Sequence, residues 1–332
     1  MYLKKETIVT CLLVLVLSFV TTGEVKAKNG NGSGVDAIYQ SIRNSSPLYE
    51  WDESIVTFEN EGMTLVCSLT IPRSQNLCPI VVTLNGFLGT RDEAPVEGTD
   101  EGILKRTARI LAEQGFASLR VDFRGSGESD GDYSMTTFST QISDTIAALD
   151  YITTSLKHQV NTKAIGIIGF SQGGLVGSSV AGRDSRVSSL VLWSAVANPP
   201  ITYEGLLRKE GIKQGLELPS KGSVSLGVYL DGTYLGFDIT LTKEFFEDLF
   251  SINPVADISN FKGGLMVIGG KDDIIVWPQP TASQGYLGYH KGYEKMVTLD
   301  ADHGFNYWQG SENVDEAIYW SGAWFIKTLT NH

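Results

Sequence analysis

Histidine and cysteine are scarce in this chain, four and three in 332 residues. No two of them stand at a metal-ligand spacing, so a metal centre is not expected, and neither is a cofactor. Lysine and arginine are outnumbered 26 to 38 by aspartate and glutamate, giving a net charge of −12. No basic cluster interrupts that balance, which excludes nucleic acid as the expected partner. Charged residues make up only 19% and hydrophobic ones 42%, an ordinary globular composition for one large α/β domain or two small ones. Internal repeats and long low-complexity segments are absent.

One apolar run stands apart. Lys4 and Lys5 precede Ile8–Val20, and Val25-Lys26-Ala27 has the small-residue form of a cleavage site. Residues 1–27 thus have the layout of a secretory signal peptide, with an uncleaved anchor as the alternative. The run is short for a membrane span. The expectation is a secreted or periplasmic protein with no stable membrane insertion after cleavage. Cys11 lacks the small residues expected just before a lipidated cysteine. Cleavage after Ala27 removes three lysines and two glutamates, leaving the remainder one charge more negative. It also leaves Cys67 and Cys78, an even count that permits one disulfide between two neighbouring predicted strands, or two buried thiols.

Residues 28–50 read as a linker and N-terminal extension, Asn/Gly/Ser-rich from Lys28 to Gly34, with a short helix before Trp51. The folded domain is expected over 51–332. Strand-like runs at Ser54–Phe58 and Met63–Ile71 flank a hairpin signal, Glu59-Asn60-Glu61-Gly62. Pro79–Leu84 is a continuous apolar run, as expected for a buried strand. Helices and strands then alternate: Ile103–Gln114 helical, Ala117–Phe123 strand, Thr140–Ser155 helical, Ile165–Phe170 strand, a helix from about Gly173 to Ala181, then Val187–Trp193 strand. Further strands at Leu265–Ile268 and Lys295–Leu299 precede a helix over Asn313–Thr328. This rhythm implies an α/β fold with a mostly parallel central sheet, helices on both faces and an antiparallel hairpin at its edge. About Asn198–Pro254 breaks it with short helical pieces and a hairpin turning at Asp231-Gly232. That segment reads as an inserted cap or lid, or as an excursion with its own small core. Tyr203, Tyr229 and Tyr234 in it, and Trp277 beyond it, are the expected substrate-pocket residues.

The chemistry points to Gly169-Phe170-Ser171-Gln172-Gly173, a Gly-x-Ser-x-Gly turn between a buried strand and a helix start. A serine on such a turn is held clear of the backbone, and the helix beyond offers unpaired N–H groups where negative charge develops in acyl transfer. The plainer reading is a serine that caps a helix. A nucleophile needs a base and an orienting acid. His332 is terminal, His158 lies in a loop before the serine, and His290 precedes the final strand. His303 follows that strand, on the edge of a parallel sheet where Ser171 would lie. The acid should leave another strand on that edge, and Asp272 and Asp273 both do; strand ends alone leave the two open. The oxyanion donors would be the backbone N–H groups of Phe87, in the loop after Leu84, and Gln172.

Together these residues resemble the α/β-hydrolase fold over nearly the whole of the chain beyond the leader. That fold uses the chain order Ser171, acid, His303. Asp122-Phe123-Arg124-Gly125-Ser126-Gly127-Glu128-Ser129 resembles its common, mainly structural loop after the fourth strand. Gly270-Lys271-Asp272-Asp273-Ile274-Ile275-Val276 resembles its Gly-x-x-Asp-x-x-Val acid loop, which implies Asp273 over Asp272. A closer resemblance is to the cinnamoyl/feruloyl esterase-like, dienelactone-hydrolase-related branch, carried by Ser129–Thr136, the Ser171-Gln172-Gly173-Gly174 elbow and the inserted segment. That branch usually has His-Gly-Phe where this chain has Asn85-Gly86-Phe87, and often His where it has Phe170. The resemblance implies a serine carboxylesterase acting on a small-molecule ester, hydroxycinnamoyl or short-chain. Acyltransferase, thioesterase and peptidase are the rivals within the fold, and a non-catalytic binding protein is the rival outside enzymes. Nothing in the sequence fixes an oligomeric state.

Overall fold

The computed structural model describes residues 33–330, so the expected signal peptide over 1–27 and His332 lie outside the described residues. Helix α1 (Ser33–Arg43) leads into an antiparallel pair, β1 (Trp51–Asn60) and β2 (Met63–Pro72). Their turn is Glu61-Gly62, with φ of 52° and 78°, the left-handed values a two-residue hairpin requires. The alternation then runs β3 (Cys78–Leu84), α2 (Ile103–Glu113), β4 (Ala117–Val121), α3 (Phe138–Ser155), β5 (Val160–Phe170), α4 (Gln172–Ala181) and β6 (Val187–Trp193). The cap follows as α5 (Pro199–Leu216), β7 (Ser223–Leu230), β8 (Thr233–Thr242) and α6 (Lys243–Ser251). The chain closes with α7 (Pro254–Ile258), β9 (Gly264–Gly270), α8 (Thr281–Tyr289), β10 (Glu294–Leu299) and α9 (Glu312–Leu329).

The eight-stranded sheet has the order β1-β2-β4-β3-β5-β6-β9-β10. β2 is antiparallel to both its neighbours, and the strands from β4 to β10 are parallel. From β3 the chain moves outward to β4, whereas from β5 it moves the other way to β6. Loops leaving β3 and β5 therefore diverge and open a crevice at the carboxyl edge of the sheet, where parallel α/β sheets bind ligands.

Apolar runs fill both faces. Along β5, Ile165 and Ile167 join one core, with α3, α4 and the cap, while Ala164, Ile168 and Phe170 join the other, with α1, α2 and α9. Side chains alternate across a strand, so a strand covered on both faces must be apolar at every position. Truncating such a residue to Ala costs about 2–5 kcal/mol. α3 starts at a capping box, in which Thr137 and Thr140 exchange side-chain and backbone bonds. α1 docks on α9 by stacking Tyr39 on Trp320, ring centroids 3.9 Å apart.

The Cys67–Cys78 bridge does not form; both thiols are free and buried. β4 lies between β2 and β3, so the two cysteines are not on neighbouring strands. Cys67 aligns with Val121 at the end of β4, whereas Cys78 precedes the Ile80–Ala117 pairing at its start. Two strand spacings of about 4.8 Å already exceed the roughly 7 Å Cα separation a disulfide can span.

Candidate active site

Ser171 occupies the turn between β5 and α4 with φ 53° and ψ −115°, a left-handed value that is unusual for a residue with a side chain. Two glycines make the bend possible. A Cβ on Gly169 would lie 2.3 Å from the Gly173 carbonyl oxygen, and one on Gly173 would lie 2.2 Å from that of Leu84. The Ser171 N–H donates to the Trp193 carbonyl at 2.8 Å, tying the elbow to β6. Its side chain does not cap α4.

His303 follows β10, and its Nε2 lies 2.9 Å from Ser171 Oγ. Its Nδ1 lies 2.8 Å from Asp273 Oδ2. Asp273 is 1% exposed, and its Oδ1 accepts the N–H groups of Ile275 at 2.8 Å and Val276 at 2.9 Å. The acid loop thus folds around that carboxylate and fixes it. Asp272 is exposed and touches neither ring nitrogen; its N–H donates to Ala301 O at 3.0 Å. His290, at the opposite edge, is held by Gly263 O at 3.0 Å and Glu294 at 3.2 Å.

The His303 loop has a brace of its own. Asp302 accepts the N–H groups of Gly304 and Asn306 and the Trp308 indole N–H, the last at 2.6 Å. Phe305 and Asn306 have φ of 59° and 55°, so this network holds a tight left-handed turn directly after the histidine.

Phe87 lies opposite, in the loop after β3. The Gly86 N–H donates to Glu93 Oε2 at 2.7 Å, the Leu88 N–H to Tyr133 Oη at 2.9 Å and the Gly89 N–H to Gly86 O at 3.1 Å. Among the described residues none accepts from the Phe87 N–H, so it remains available. Gln172 N–H belongs to the first turn of α4 and has no intrahelical acceptor. The Gln172 side chain is locked from behind, donating to Gln141 Oε1 at 2.7 Å and accepting the Tyr203 hydroxyl. Asp122, fully buried, accepts from Arg91 N at 2.7 Å and Glu128 N at 3.0 Å and pairs with the Arg91 guanidinium. The Asp122–Gly127 loop is therefore a structural brace under the Phe87 loop.

A cavity of about 210 Å³ opens above Ser171 and His303. The cap contributes Leu206, Val228, Leu230 and Leu235, and the acid loop contributes Ile274 and Ile275. None of the four expected aromatic pocket residues lines it. Tyr203 is 1% exposed and lies behind the Phe87 ring, centroids 5.2 Å apart. Tyr229 and Tyr234 pack on each other, and the Arg208 guanidinium sits 4.6 Å from the Tyr229 ring centre. Strand alternation explains the miss: with Val228, Leu230 and Leu235 facing the cavity, the adjacent Tyr229 and Tyr234 face away. Trp277 is 66% exposed beyond the rim. Tyr307, Trp308 and Glu93 line the cavity instead, and no motif in the sequence marks them.

Burial opposes charging of His303, but Asp273, hydrogen-bonded to Nδ1, outweighs it and holds the imidazole above its ordinary pKa. A base must be neutral to accept a proton. Any reaction in which His303 acts as the base should therefore have an acid limb of kcat/KM with its midpoint above the ordinary histidine value of about 6.5. A rate profile from pH 5 to 9 checks this, and a midpoint below 6 would contradict it.

The chain has the α/β-hydrolase fold. Residues 61–222, just under half of it, match the family model for X-Pro dipeptidyl-peptidase (S15 family). Among curated proteins it is 28% identical over 146 residues to an uncharacterized 31.7 kDa protein in the traX-finO intergenic region of Escherichia coli, covering 44% of this chain and 46% of that protein. The chain thus spans under half the length of the curated relatives it matches. Among solved structures it is similar to ferulic acid-bound Est1E from Butyrivibrio proteoclasticus, with a TM-score of 0.66 and 21% identity over 83% of this chain and 100% of that one. It is also similar to the esterase domain of a Rhodothermus marinus protein, with a TM-score of 0.60 and 22% identity over 84% of this chain and 99% of that one.

Proposed function

We propose that the protein is an exported serine hydrolase that cleaves carboxylic esters through an acyl-enzyme. The chain of contacts from Asp273 through His303 to Ser171 at the floor of an apolar cavity carries this reading. Ser171 Oγ attacks the ester carbonyl while His303 Nε2 takes its proton. Asp273 keeps the Nδ1 proton in place and stabilises the imidazolium. The Phe87 and Gln172 N–H groups receive the oxyanion, a kind of donor worth about 3–4 kcal/mol of barrier each in other enzymes. His303 then protonates the departing alcohol, and water resolves the acyl-enzyme by the reverse route. Covalent labelling by a fluorophosphonate tests the reading; a folded chain that takes no label would sink it. Export rests on Lys4-Lys5, the Ile8–Val20 run and the Val25-Lys26-Ala27 site.

The cavity also bears on the substrate. Its wall is largely aliphatic, and apart from His303 the lining residues that carry charge near neutral pH are carboxylic acids, Glu93, Asp272 and Asp302. Such walls favour uncharged acyl groups and repel carboxylates. Butyryl aryl esters should exceed the matched hemisuccinyl esters at least tenfold in kcat/KM, with the gap narrowing at high salt as screening grows. Equal rates at low salt would contradict this. Hydroxycinnamoyl methyl esters belong in the same panel, because the Est1E likeness extends to a protein whose structure holds ferulic acid. The match to the X-Pro dipeptidyl-peptidase model favours a second reading, amide cleavage. A dipeptidyl X-Pro arylamide cleaved faster than every ester in the panel would establish it.

A further inference from the structure

The loop that would supply half of the oxyanion hole is held by a residue with no place in the mechanism above. Of the N–H groups of Gly86, Leu88 and Gly89, only that of Gly86 goes to an ionisable carboxyl, Glu93 Oε2 at 2.7 Å. Glu93 sits in the left-handed region at φ 62°, and Leu88 does so at 67°. Backbone in that region is held by its surroundings, and here it turns the Glu93 side chain back under its own loop. Gly89 leaves room for it, since a Cβ there would fall 2.5 Å from the carboxylate oxygen. Glu93 also lines the cavity shared by Ser171 and His303.

We propose that Glu93 is the positioning residue of the oxyanion loop: by fixing the Gly86 N–H it sets the direction of the following Phe87 N–H, and its charge acts on His303. The proposal rests on the serine-hydrolase reading. A peptide is a rigid plane, so pinning the Gly86 N–H constrains the next plane through only two soft dihedrals. A carboxylate accepts more strongly than a neutral carboxyl, so the loop is held best when Glu93 is ionised.

Among the described residues that act on Glu93, protonated His303 is the one cationic side chain. His303 and Tyr307 face it from the loop after β10, where Asp302 also lines the cavity, and Tyr133 faces it from the turn before α3. On its own segment Arg91 is committed to Asp122 and Glu128, while Asp92 pairs with Arg120. Burial accordingly pushes the Glu93 carboxyl up to about 7, against the pull of the Gly86 N–H and of charged His303. Each of the two charges therefore favours the other, and Glu93 and His303 are electrostatically coupled.

The test uses the full chain, Glu93→Gln and Glu93→Ala, with fluorophosphonate labelling beside butyrate ester kinetics from pH 5 to 9. Glu93→Ala should lower kcat about ten- to a hundredfold with KM changed less than about threefold, since an oxyanion donor acts in the transition state. Glu93→Gln keeps an acceptor for Gly86 and should recover kcat to within about threefold of wild type at pH 8. It should also move the acid limb to lower pH by roughly half a unit, because neutral Gln no longer favours charged His303. Glu93→Gln should fold, because it spares the protein a half-buried charge above pH 7. An acid limb that superimposes on wild type in Glu93→Gln would overturn the proposal, and so would a Glu93→Ala loss confined to KM. A wild-type chain that neither labels nor hydrolyses esters would instead remove the function on which the proposal rests.

Discussion

Replacing Ser171 with Ala should abolish fluorophosphonate labelling and lower kcat for a butyrate ester by about six powers of ten, as nucleophile removal does in other triads. The fold should survive. Ser171 is tied to β6 through its backbone N–H, and among the described residues its side chain meets His303 Nε2 but no structural partner. Alanine occupies the same bend without a new contact, although φ 53° strains it as it strains serine. Near-UV circular dichroism and thermal melting should therefore match wild type to within a few degrees while activity disappears. Residual activity above about a thousandth of wild type, with the variant folded, would assign the chemistry to another group.

Much of the site's position was legible because it depends on strand ends. A strand followed by a Gly-flanked serine, a strand followed by two aspartates and a last strand followed by histidine place three side chains on one sheet edge, whatever the packing beneath. The choice between Asp272 and Asp273 was different. Both leave β9 at nearly the same height, and what separates them is the Ile275 and Val276 N–H groups that close on Asp273. The local pattern alone left both open; the resemblance to an acid-loop motif implied Asp273.

What escaped the sequence has specific causes. Residue type alone points to the tyrosines as pocket residues, yet strand alternation in β7 and β8 gives the cavity Val228, Leu230 and Leu235 and turns Tyr229 and Tyr234 away. The cysteine bridge assumed that β2 and β3 are neighbours, but β4 returns between them, a crossover made by residues far along the chain. Glu93 had no signal at all. Its part in the site depends on a left-handed backbone and on the side chain folding back to Gly86, neither of which a lone glutamate in a polar stretch announces.

Asp273→Asn should lower kcat about ten-thousandfold, while Asp272→Asn should change it less than threefold, and the contrast follows from hydrogen-bond direction. Asp273 Oδ2 accepts from His303 Nδ1, and Oδ1 accepts from two backbone N–H groups. A carboxylate can accept at both oxygens, whereas an amide has one acceptor and one donor end. With the oxygen kept by the Ile275 and Val276 N–H groups, the amide NH₂ faces Nδ1. The ring then places its proton on Nε2, where it can no longer take one from Ser171, the wrong-tautomer effect that costs about 10⁴ in a serine protease. The loss should fall on kcat, and stability should change little because the loop's backbone bonds survive. Asp272 contacts the ring through neither nitrogen and meets solvent at the cavity rim, so neutralising it touches only the field felt by the substrate. Steady-state kinetics of both variants on the same butyrate ester check this. Equal losses in the two would mean that the acid works through its charge rather than through the proton it fixes on His303.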